Sequence, residues 1–253
     1  MSHLRAIPVR GIGEVKAGDS LADLILAALK RQRFPLIEGD ILVVTHKIVS
    51  KAEGRVAALG SVRPTAEMKR WGQWYKRDPR VIALALAESR RIVRKKNGVL
   101  ITETRHGRKG FVCAQSGVDV SNIDGGKSAA LLPRSPDASA ARLHREILRR
   151  TARYVPVIIT DSFGRPWREG LTEVAIGCAG MPVFRDARGQ HDPYGYKLQV
   201  TREAVADELA GMAGLACGKL SRIPACVIRG FNYERARGRA ADLIRDPAQD
   251  LFR

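Results

Sequence analysis

Aromatic residues and cysteine are scarce in this chain of 253 residues. Phe, Trp and Tyr together make up 6% of it, which leaves little material for the stacking platforms of sequence-independent single-strand binders. The cysteines form no Cys-x-x-Cys pair, so a structural zinc site is not expected. Most of them lie in apolar stretches, which predicts reduced thiols in the core: Cys113, Cys178, Cys217 and Cys226.

Long apolar runs and an apolar leader are also missing. No window approaches the roughly 18 uninterrupted apolar residues of a transmembrane helix. The N-terminus has neither an apolar h-region nor a small-residue cleavage site, which predicts a cytoplasmic protein without a membrane partner. With 45% hydrophobic and 28% charged residues, residues 1–253 are expected to form a globular domain, either undivided or in two lobes.

Acidic residues are few relative to basic ones, and this is the strongest compositional signal. The chain has 44 Lys and Arg against 26 Asp and Glu, a formal net charge of +18 at pH 7. Such a field attracts polyanions and accelerates their encounter with the protein. It does not distinguish nucleic acid, nucleotides and anionic metabolites from one another.

Apolar periodicity predicts a succession of helices and strands. Asp19 or Ser20 is expected to cap a helix whose apolar face runs from Leu21 to Leu29, and Ser20 and Asp23 have capping-box spacing. Further helices are predicted at 65–75, 79–93, 138–151 and 203–216. Strands are predicted at 41–44, 98–103, 155–160, 172–184 and 223–230. Residues 6–15 are predicted to form a short strand that runs into a glycine-containing loop, and residues 111–122 a hairpin strand that runs into another loop. Residues from 232 onward lose this periodicity, so about 233–253 are expected to form a polar tail or an oligomer arm.

The apolar run that ends at Thr160 leads into a concentration of polar chemistry. We expect a loop there, in which Asp161 and Ser162 offer hard oxygen ligands. Arg165 and Arg168 offer forked donors suited to phosphate or carboxylate. An aspartate at a strand end is more often a turn or cap residue than a metal ligand, and Arg168 with Glu169 also fits a plain surface pair.

Two other stretches repeat the pattern of an apolar strand followed by ligand-type residues. Lys47 and Lys51 are four residues apart, so on a helix they project from one side, either toward phosphate or as a solvated basic face. His46 beside them is interpreted as a hydrogen-bonding residue rather than a general base. Asp119 and Asn122 flank Ser121 and suit a cation and a base or ribose, with an Asx turn as the alternative.

Several of these stretches occur together in the order and spacing of one family. They are residues 7–11, 39–55, 101–107, 117–122, 131–133, 158–168, 204–208 and 218–230. In this combination the chain resembles the coenzyme F420-0:L-glutamate ligases over about residues 6–232. The individual pieces are weak signals, and the specificity comes from their order.

The resemblance implies a fold and an activity. The fold is an α+β arrangement of mixed sheets with flanking helices, found in few other proteins and assembled as an intertwined homodimer. The activity is a GTP-dependent amide ligation that joins the α-amino group of L-glutamate to the terminal carboxylate of F420-0 through an acyl phosphate. The products are F420-1, GDP and phosphate, often followed by further γ-linked glutamates. The implied cofactors are Mn²⁺ or Mg²⁺, together with K⁺.

Matching positions carry the implied roles. Asp119 and Asp161 match metal-binding carboxylates, and Ser162 stands where relatives commonly have Thr. Lys51 and Asp161 are the expected catalytic residues, and Arg165 and Arg168 are candidate clamps for the substrate's phosphodiester or carboxylate. The implied nucleotide-binding residues are Ile12, Gly13, Glu14, Val15, His46, Lys47, Lys51, Asn122, Gly218 and Lys219.

The chain departs from the family pattern at one loop. Some relatives have a longer, glycine-rich acidic loop at 218–224, and Lys219 lies where a carboxylate would help to hold a second metal. This departure leaves the second metal's ligand unidentified. It also keeps open a ligase of the same family that acts on a different carboxylate or amino acid.

A basic nucleic-acid-binding protein is the alternative from another class. It predicts aromatic residues clustered among the basic ones. Because aromatics are few and the arginines are spread along the chain, nucleic acid is not expected as a partner.

Overall fold

The computed structural model describes residues 3–250. The strands are β1 (Arg5–Pro8), β2 (Ile41–Thr45), β3 (Val56–Ala58), β4 (Ser89–Lys96), β5 (Val99–Thr104), β6 (Val112–Ala114), β7 (Ser128–Ala130), β8 (Val157–Arg165), β9 (Arg168–Ala179), β10 (Arg185–Asp186), β11 (Arg202–Glu203) and β12 (Ala225–Arg229). The α-helices are α1 (Leu21–Arg31), α2 (His46–Ala52), α3 (Ala66–Tyr75), α4 (Pro79–Glu88), α5 (Pro136–Thr151) and α6 (Val205–Cys217). The fold is therefore α+β, as expected.

A mixed five-stranded sheet forms the centre of the fold. Its strand order is β1-β12-β2-β8-β9. Strands β2 and β8 run parallel, with Thr45 opposite Thr160, and the other neighbouring pairs are antiparallel. The apolar residues of β2 and the first half of β8 are buried, which is why both strands appear in the sequence as continuous β-branched runs.

Helices cover both faces of this sheet. Alternate residues point to opposite faces, so Leu42 and Val44 pack on one side in a cluster that includes residues of α1 and α5. Ile41 and Val43 pack on the other side against α6. Each face thereby buries a separate apolar cluster, and the central strands lie between them.

Smaller sheets extend the fold between α2 and α5. Strands β3 and β7 pair with each other, and β4, β5 and β6 form a three-stranded sheet against which α3 and α4 pack. Phe111 lies beside β6 and meets Phe163 of β8 edge to face, with ring centroids 6.5 Å apart. This contact joins the smaller sheet to the central one.

Local sequence signals account for several helix starts. The Ser20 hydroxyl accepts a hydrogen bond from the amide of Asp23 at 3.3 Å, which confirms the predicted cap of α1. Asp78 caps α4 in the same way through the amide of Arg80, with Pro79 as the first helical residue.

The helix predicted at 79–93 is wrong in its second half. Helix α4 ends at Glu88, because Ser89 adopts extended angles and its hydroxyl donates to the carbonyl of Leu86. The basic run that follows is strand β4, which pairs antiparallel with β5. A nearby strand with free hydrogen-bonding groups therefore overrides the helical pattern, and the basic residues do not lie at a helix C-terminus.

The loop predicted after Thr160 is also wrong. Strand β8 continues through Asp161 and Ser162 to Arg165 and turns into β9, so these residues belong to a hairpin. The strand predicted at 172–184 accordingly begins earlier, at Arg168, and ends at Ala179. Backbone pairing between the two strands stabilises an extended conformation that the polar side chains alone do not predict.

The last described residues pack on the body of the protein. Ala240 is buried, and the amides of Ala240 and Ala241 donate to the Asp137 carboxylate at the start of α5. The final residues of the expected tail, 251–253, lie outside the described part of the chain. No helix among residues 3–250 is long and apolar enough to cross a membrane. The undivided domain and the homodimer stay predictions.

Candidate functional site

The candidate site lies where β2 ends beside the middle of β8. Thr45, the last residue of β2, lies opposite Thr160, so the chain leaves β2 next to Asp161 and Ser162. Helix α2 begins there with His46, whose Nε2 is 3.3 Å from Oδ1 of Asp161. His46 is buried, and its Nδ1 lies 3.3 Å from the Ser50 hydroxyl. The Nε2 contact does not have hydrogen-bond geometry, so a buried ring nitrogen without a hydrogen-bond partner lies against the carboxylate.

The next residue of α2, Lys47, connects this edge to the segment around Asp119. The ammonium group of Lys47 is 2.9 Å from Oδ2 of Asp119 and also donates to the carbonyl and the hydroxyl of Ser121. Two backbone hydrogen bonds between Asp119 and Ala130 hold the segment in place. Oδ1 of Asp119 accepts from the amide of Ser121, so the Asx turn weighed as the alternative is present beside the ion pair.

The surroundings of Asp119 favour its ionised form. Burial acts to raise the pKa of this carboxyl, but the hydrogen bonds from Lys47 and Ser121 and the lysine's charge outweigh it. The pKa of Asp119 is therefore lowered, and the group carries a negative charge at neutral pH.

One turn later on α2, Lys51 faces the segment at residues 12–15. Its ammonium group is 2.5 Å from a carboxylate oxygen of Glu14, and the amide of Gly18 donates to the carbonyl of Ala52. Val15 is buried in the core and anchors the segment. The side chains of Lys47 and Lys51 are only 17% and 12% exposed, so they do not form a solvated basic face.

Ser162 is the centre of the second half of the site. Its hydroxyl donates to the carboxylate of Glu173, the residue opposite it on β9, and accepts from the ammonium group of Lys219 at 2.9 Å. Gly214 makes room for Glu173, because a Cβ there would lie 2.5 Å from the Cγ of Glu173. The loop at 218–222 is thereby connected to the β8–β9 hairpin.

Glu173 and Ser121 are site residues that sequence reasoning missed. Glu173 falls in a stretch predicted as an ordinary buried strand, and its signal was a single charge between Thr172 and the apolar Val174. Ser121 was noted only as a neighbour of Asp119. Ser121 gains its place from Lys47, far away in the chain, and Glu173 from Ser162 on the neighbouring strand of the hairpin.

Other predicted residues lie at the margin of this cluster or outside it. Asn122 is exposed, with a left-handed φ of 56°, directly after the serine that Lys47 contacts. Gly218 also has a positive φ, at the end of α6. Arg165 and Arg168 lie at the exposed tip of the hairpin, about 13 Å along the strand from Asp161. Arg165 there donates to the carbonyl of Glu169.

The donor set suits a hard divalent cation. Asp119, Asp161 and Ser162 present oxygen ligands, and an unpaired imidazole nitrogen lies beside Asp161. Within residues 3–250 no group of three or more His, Cys, Asp or Glu side chains converges on one point. The residues therefore fit a metal of the Mg²⁺ type, which is held by one or two carboxylates and takes its other ligands from phosphate and water.

Each lysine of the site contacts an oxygen atom that a phosphate oxygen could replace. Lys47, Lys51 and Lys219 contact a carboxylate or a hydroxyl at one edge of the sheet. A phosphate oxygen can replace such a partner, since an ammonium group binds phosphate as a point charge. The geometry is thus suited to an anionic ligand of several charges.

Known proteins with related sequences are ligases. The profile of the family described as F420-0:Gamma-glutamyl ligase matches residues 11–230. A protein of Methanothermobacter thermautotrophicus named coenzyme F420:L-glutamate ligase is 42% identical over 250 residues, which cover 98% of each chain. Proteins with the same name from Methanopyrus kandleri and Methanocaldococcus jannaschii are 41% and 40% identical. Those matches cover 99% and 87% of this chain and 98% and 87% of the respective relatives. The chain belongs to the F420-0:gamma-glutamyl ligase family.

Proposed function

We propose that this protein joins L-glutamate to coenzyme F420-0 at the expense of GTP and gives F420-1, GDP and phosphate, with further γ-linked glutamates as later products. The observation that carries the proposal is a set of three lysines beside the two strand-edge aspartates: Lys47 contacts Asp119, Lys51 contacts Glu14, and Lys219 contacts Ser162, the residue after Asp161. It occupies the stretches in which the chain matches relatives named for this activity.

Chemistry explains why such a cluster is needed. A carboxylate does not acylate an amine at neutral pH, so it must first be activated. Transfer of the γ-phosphoryl group of GTP to the F420-0 carboxylate gives an acyl phosphate and GDP. The glutamate amine then attacks the carbonyl carbon, phosphate leaves, and the amine's proton is lost to solvent or to a nearby base. Both steps concentrate negative charge, which fixed cations stabilise.

The residues divide this work by position. Lys51 and Lys47 exchange their carboxylate partners for phosphate oxygens and offset the charge of the triphosphate. The backbone at 12–15 and the side chain of Asn122 line the nucleotide, together with the loop that begins at Gly218. His46 stays buried and positions Asp161.

The two aspartates and the serine of the site would hold a divalent metal. Mn²⁺ or Mg²⁺ held by Asp119, Asp161 and the Ser162 hydroxyl would supply charge neutralisation of the transferred phosphoryl group. Lys219 contributes a fixed positive charge at Ser162, where some relatives have an acidic loop. A potassium ion is part of the proposal, without assigned ligands.

The hairpin supports the remaining part of the proposal. Arg165 and Arg168 are exposed at its tip, where they suit the phosphodiester or carboxylates of the substrate. Trp167 is 78% exposed and Leu171 67% exposed beside them, a combination typical of a protein interface. We propose that the tip reaches the partner in an intertwined homodimer, so that these arginines act near the subunit interface.

The test is a reaction with defined components. Purified protein with F420-0, GTP, L-glutamate and Mn²⁺ should yield glutamylated product by mass spectrometry and release phosphate in equal amount. Asp161→Asn should lower turnover about 100-fold or more, because it removes charge from the phosphoryl-transfer site. Asp192→Asn is the matched control, since Asp192 only accepts turn hydrogen bonds that asparagine also accepts.

Two outcomes would redirect the proposal. Neither product nor GTP hydrolysis with the unchanged protein would contradict it. GTP hydrolysis without glutamylation, restored by another carboxylate or amino acid, would assign the same chemistry to a different substrate. The departure at Lys219 from the pattern of some relatives is the observation that keeps this second candidate in view.

A further inference from the structure

A second concentration of charge lies outside the candidate site, on α3 and β4. We call it the α3–β4 face and define it by residues 66–77 and 89–98. Its aromatic residues are Trp71, Trp74 and Tyr75. The ring of Trp71 lies 5.3 Å from that of Tyr75, and the rings of Trp74 and Tyr75 lie 6.1 Å apart with planes only 15° from parallel.

The rings are presented to solvent rather than used in the core. Trp74 is 82% exposed and Tyr75 is 37% exposed, whereas Trp71 is buried and packs with Ile82 and Leu100. Trp71 therefore anchors the helix, and Trp74 is left as an exposed flat surface. Large exposed aromatic rings are unusual on a protein surface unless they contact a partner.

Basic side chains surround these rings. Lys95 of β4 places its ammonium group 4.9 Å from the Trp71 ring centroid, and Arg70 precedes Trp74 by one helical turn. Gly98 lets α3 lie close to the β4–β5 turn, since a Cβ there would be 2.8 Å from Tyr75 and 3.4 Å from Arg77. Aromatic and basic groups thus lie side by side on two different elements.

Most of these cations have no acidic partner. Arg90 and Arg91 bind Glu103, and Arg80 binds Asp78. The following basic residues of the face form no ion pair with any residue from 3 to 250: Lys69, Arg70, Lys76, Arg77, Arg94, Lys95 and Lys96. Three of them lie at the end of the edge strand β4, and the other four lie on α3 or directly after it.

The combination of flat rings and unpaired cations favours one class of ligand. A solvated basic face needs no exposed parallel rings, and an anionic membrane surface needs several apolar side chains to insert. Single-stranded nucleic acid needs both features found here, namely π-faces for its bases and cations for its phosphates. The low aromatic content of the whole chain does not exclude such a site, because the fold brings three of the few aromatic residues together beside β4.

We propose that the α3–β4 face binds single-stranded nucleic acid, with bases stacked on Trp74 and Tyr75 and phosphates on the surrounding lysines and arginines. This function is separate from the ligase reaction, since none of the face residues belongs to the candidate site. Binding is expected to show little base preference, because every base has a π-face.

The test uses the full-length protein and a fluorescently labelled oligouridylate in an anisotropy titration. Affinity should fall steeply with salt. Trp74→Ala should weaken binding about 5-fold to 150-fold, the range for losing one stacked base, and is expected to fold because Trp74 is exposed. The double variant Arg70→Glu, Lys95→Glu should weaken it further and flatten the salt dependence, since Lys95 contacts the Trp71 ring and Arg70 lies one helical turn before Trp74. Arg145→Glu with Arg149→Glu makes the same charge change on exposed positions of α5, away from aromatic rings.

The outcomes separate this proposal from its rivals. Equal loss in the α5 control, or no loss in Trp74→Ala, would overturn it in favour of attraction by net charge alone. Trp74-dependent binding to phosphatidylserine vesicles, without binding to the oligouridylate, would overturn it in favour of a membrane surface. Trp74→Ala should retain full ligase turnover, so failure of the ligase proposal and failure of this one are read from different assays.

Discussion

Ser162 shows how a single residue acquires its function from neighbours on other elements. Its hydroxyl proton points to Glu173, which leaves the oxygen's lone pairs to accept from Lys219. A serine in this orientation accepts from a cation or binds a metal, whereas a freely rotating hydroxyl does so only part of the time. Glu173 is therefore a positioning residue.

Substitution of Glu173 tests this role. Glu173→Gln keeps the size of the side chain but can also present an NH₂ donor, so the hydroxyl orientation is no longer defined. We expect ligase activity to fall about 10-fold to 100-fold and the Mn²⁺ concentration for half-maximal activity to rise. The matched control is Glu169→Gln, an exposed glutamate on the same strand. An unchanged Mn²⁺ requirement would contradict the positioning role.

The thiols differ in reactivity for reasons that are local. Burial raises the pKa of Cys113 and of Cys178 to about 12, so both stay protonated and inert. Cys217 is only half-buried, and the hydrogen bond from the Cys226 thiol lowers its pKa. Because the thiolate is the nucleophile, a lower pKa means that the reactive form appears at lower pH.

We expect iodoacetamide to modify Cys217 first in the folded protein. Its alkylation rate should rise with pH and reach half of its plateau at a lower pH than the rate of an ordinary thiol, because its pKa is lowered. Peptide mass spectrometry over a pH series measures this directly. Cys217→Ser should abolish the fast phase, and modification of Cys113 at the same rate in the folded protein would contradict the assignment.

At the scale of helices and strands, local signals were predictable and long-range pairing was not. The cap of α1 depends on residues within one turn, so Ser20 was among the predicted caps. The end of α4 depends on β5, which is distant in the chain, and was misplaced. Asp161 was placed in a loop for the same reason, since β9 holds it in a strand.

The candidate site follows the same rule. Asp119, Asp161, Lys47 and Lys51 were identified because each follows an apolar strand, and the resemblance to the family supplied their roles. Which cation faces which carboxylate was not predictable, because these pairs join elements far apart in the chain. Glu173 had no motif at all and became visible only through its partner Ser162.

The packing of β9 on α5 provides an element-scale test. A Cβ on Gly177 would lie 2.5 Å from the carbonyl oxygen of Pro136, and a backbone atom cannot give way as a flexible side chain does. Gly177→Ala should therefore lower the free energy of unfolding by about 1 to 3 kcal/mol. Gly211→Ala in α6 has open space and should raise it by about 0.5 to 1 kcal/mol.

Urea denaturation of both glycine variants measures these changes. The pair is matched because each adds one methyl group, and the expected signs are opposite. Equal stability of Gly177→Ala and the unchanged protein would show that β9 and α5 separate easily. That result would contradict the assignment of a rigid contact between Gly177 and the backbone of Pro136.

For the whole molecule, the net charge is +18, and the basic residues differ in whether a carboxylate lies beside them. Many surface arginines are neutralised by carboxylates, for example Arg150 by Asp23 and Arg188 by Asp186. Lys47 and Lys51 of the candidate site are paired and partly buried, whereas most cations of the α3–β4 face have no acidic partner within residues 3–250. The long-range field therefore comes mainly from residues outside the site.

This field should act on substrate capture rather than on the chemical step. At about 0.05 M salt the Debye length exceeds 10 Å, and near 0.5 M it falls to a few ångströms, so distant charges no longer attract GTP. We expect KM for GTP to rise several-fold over this range, with kcat changed less than twofold.

Steady-state kinetics at constant KCl, with NaCl as the added salt, separates screening from any requirement for potassium. The double variant Arg145→Glu, Arg149→Glu should raise KM at low salt and approach the unchanged protein at high salt. A KM that does not respond to salt would mean that the contacts of Lys47 and Lys51 alone determine GTP affinity, and that the surplus charge acts on another partner.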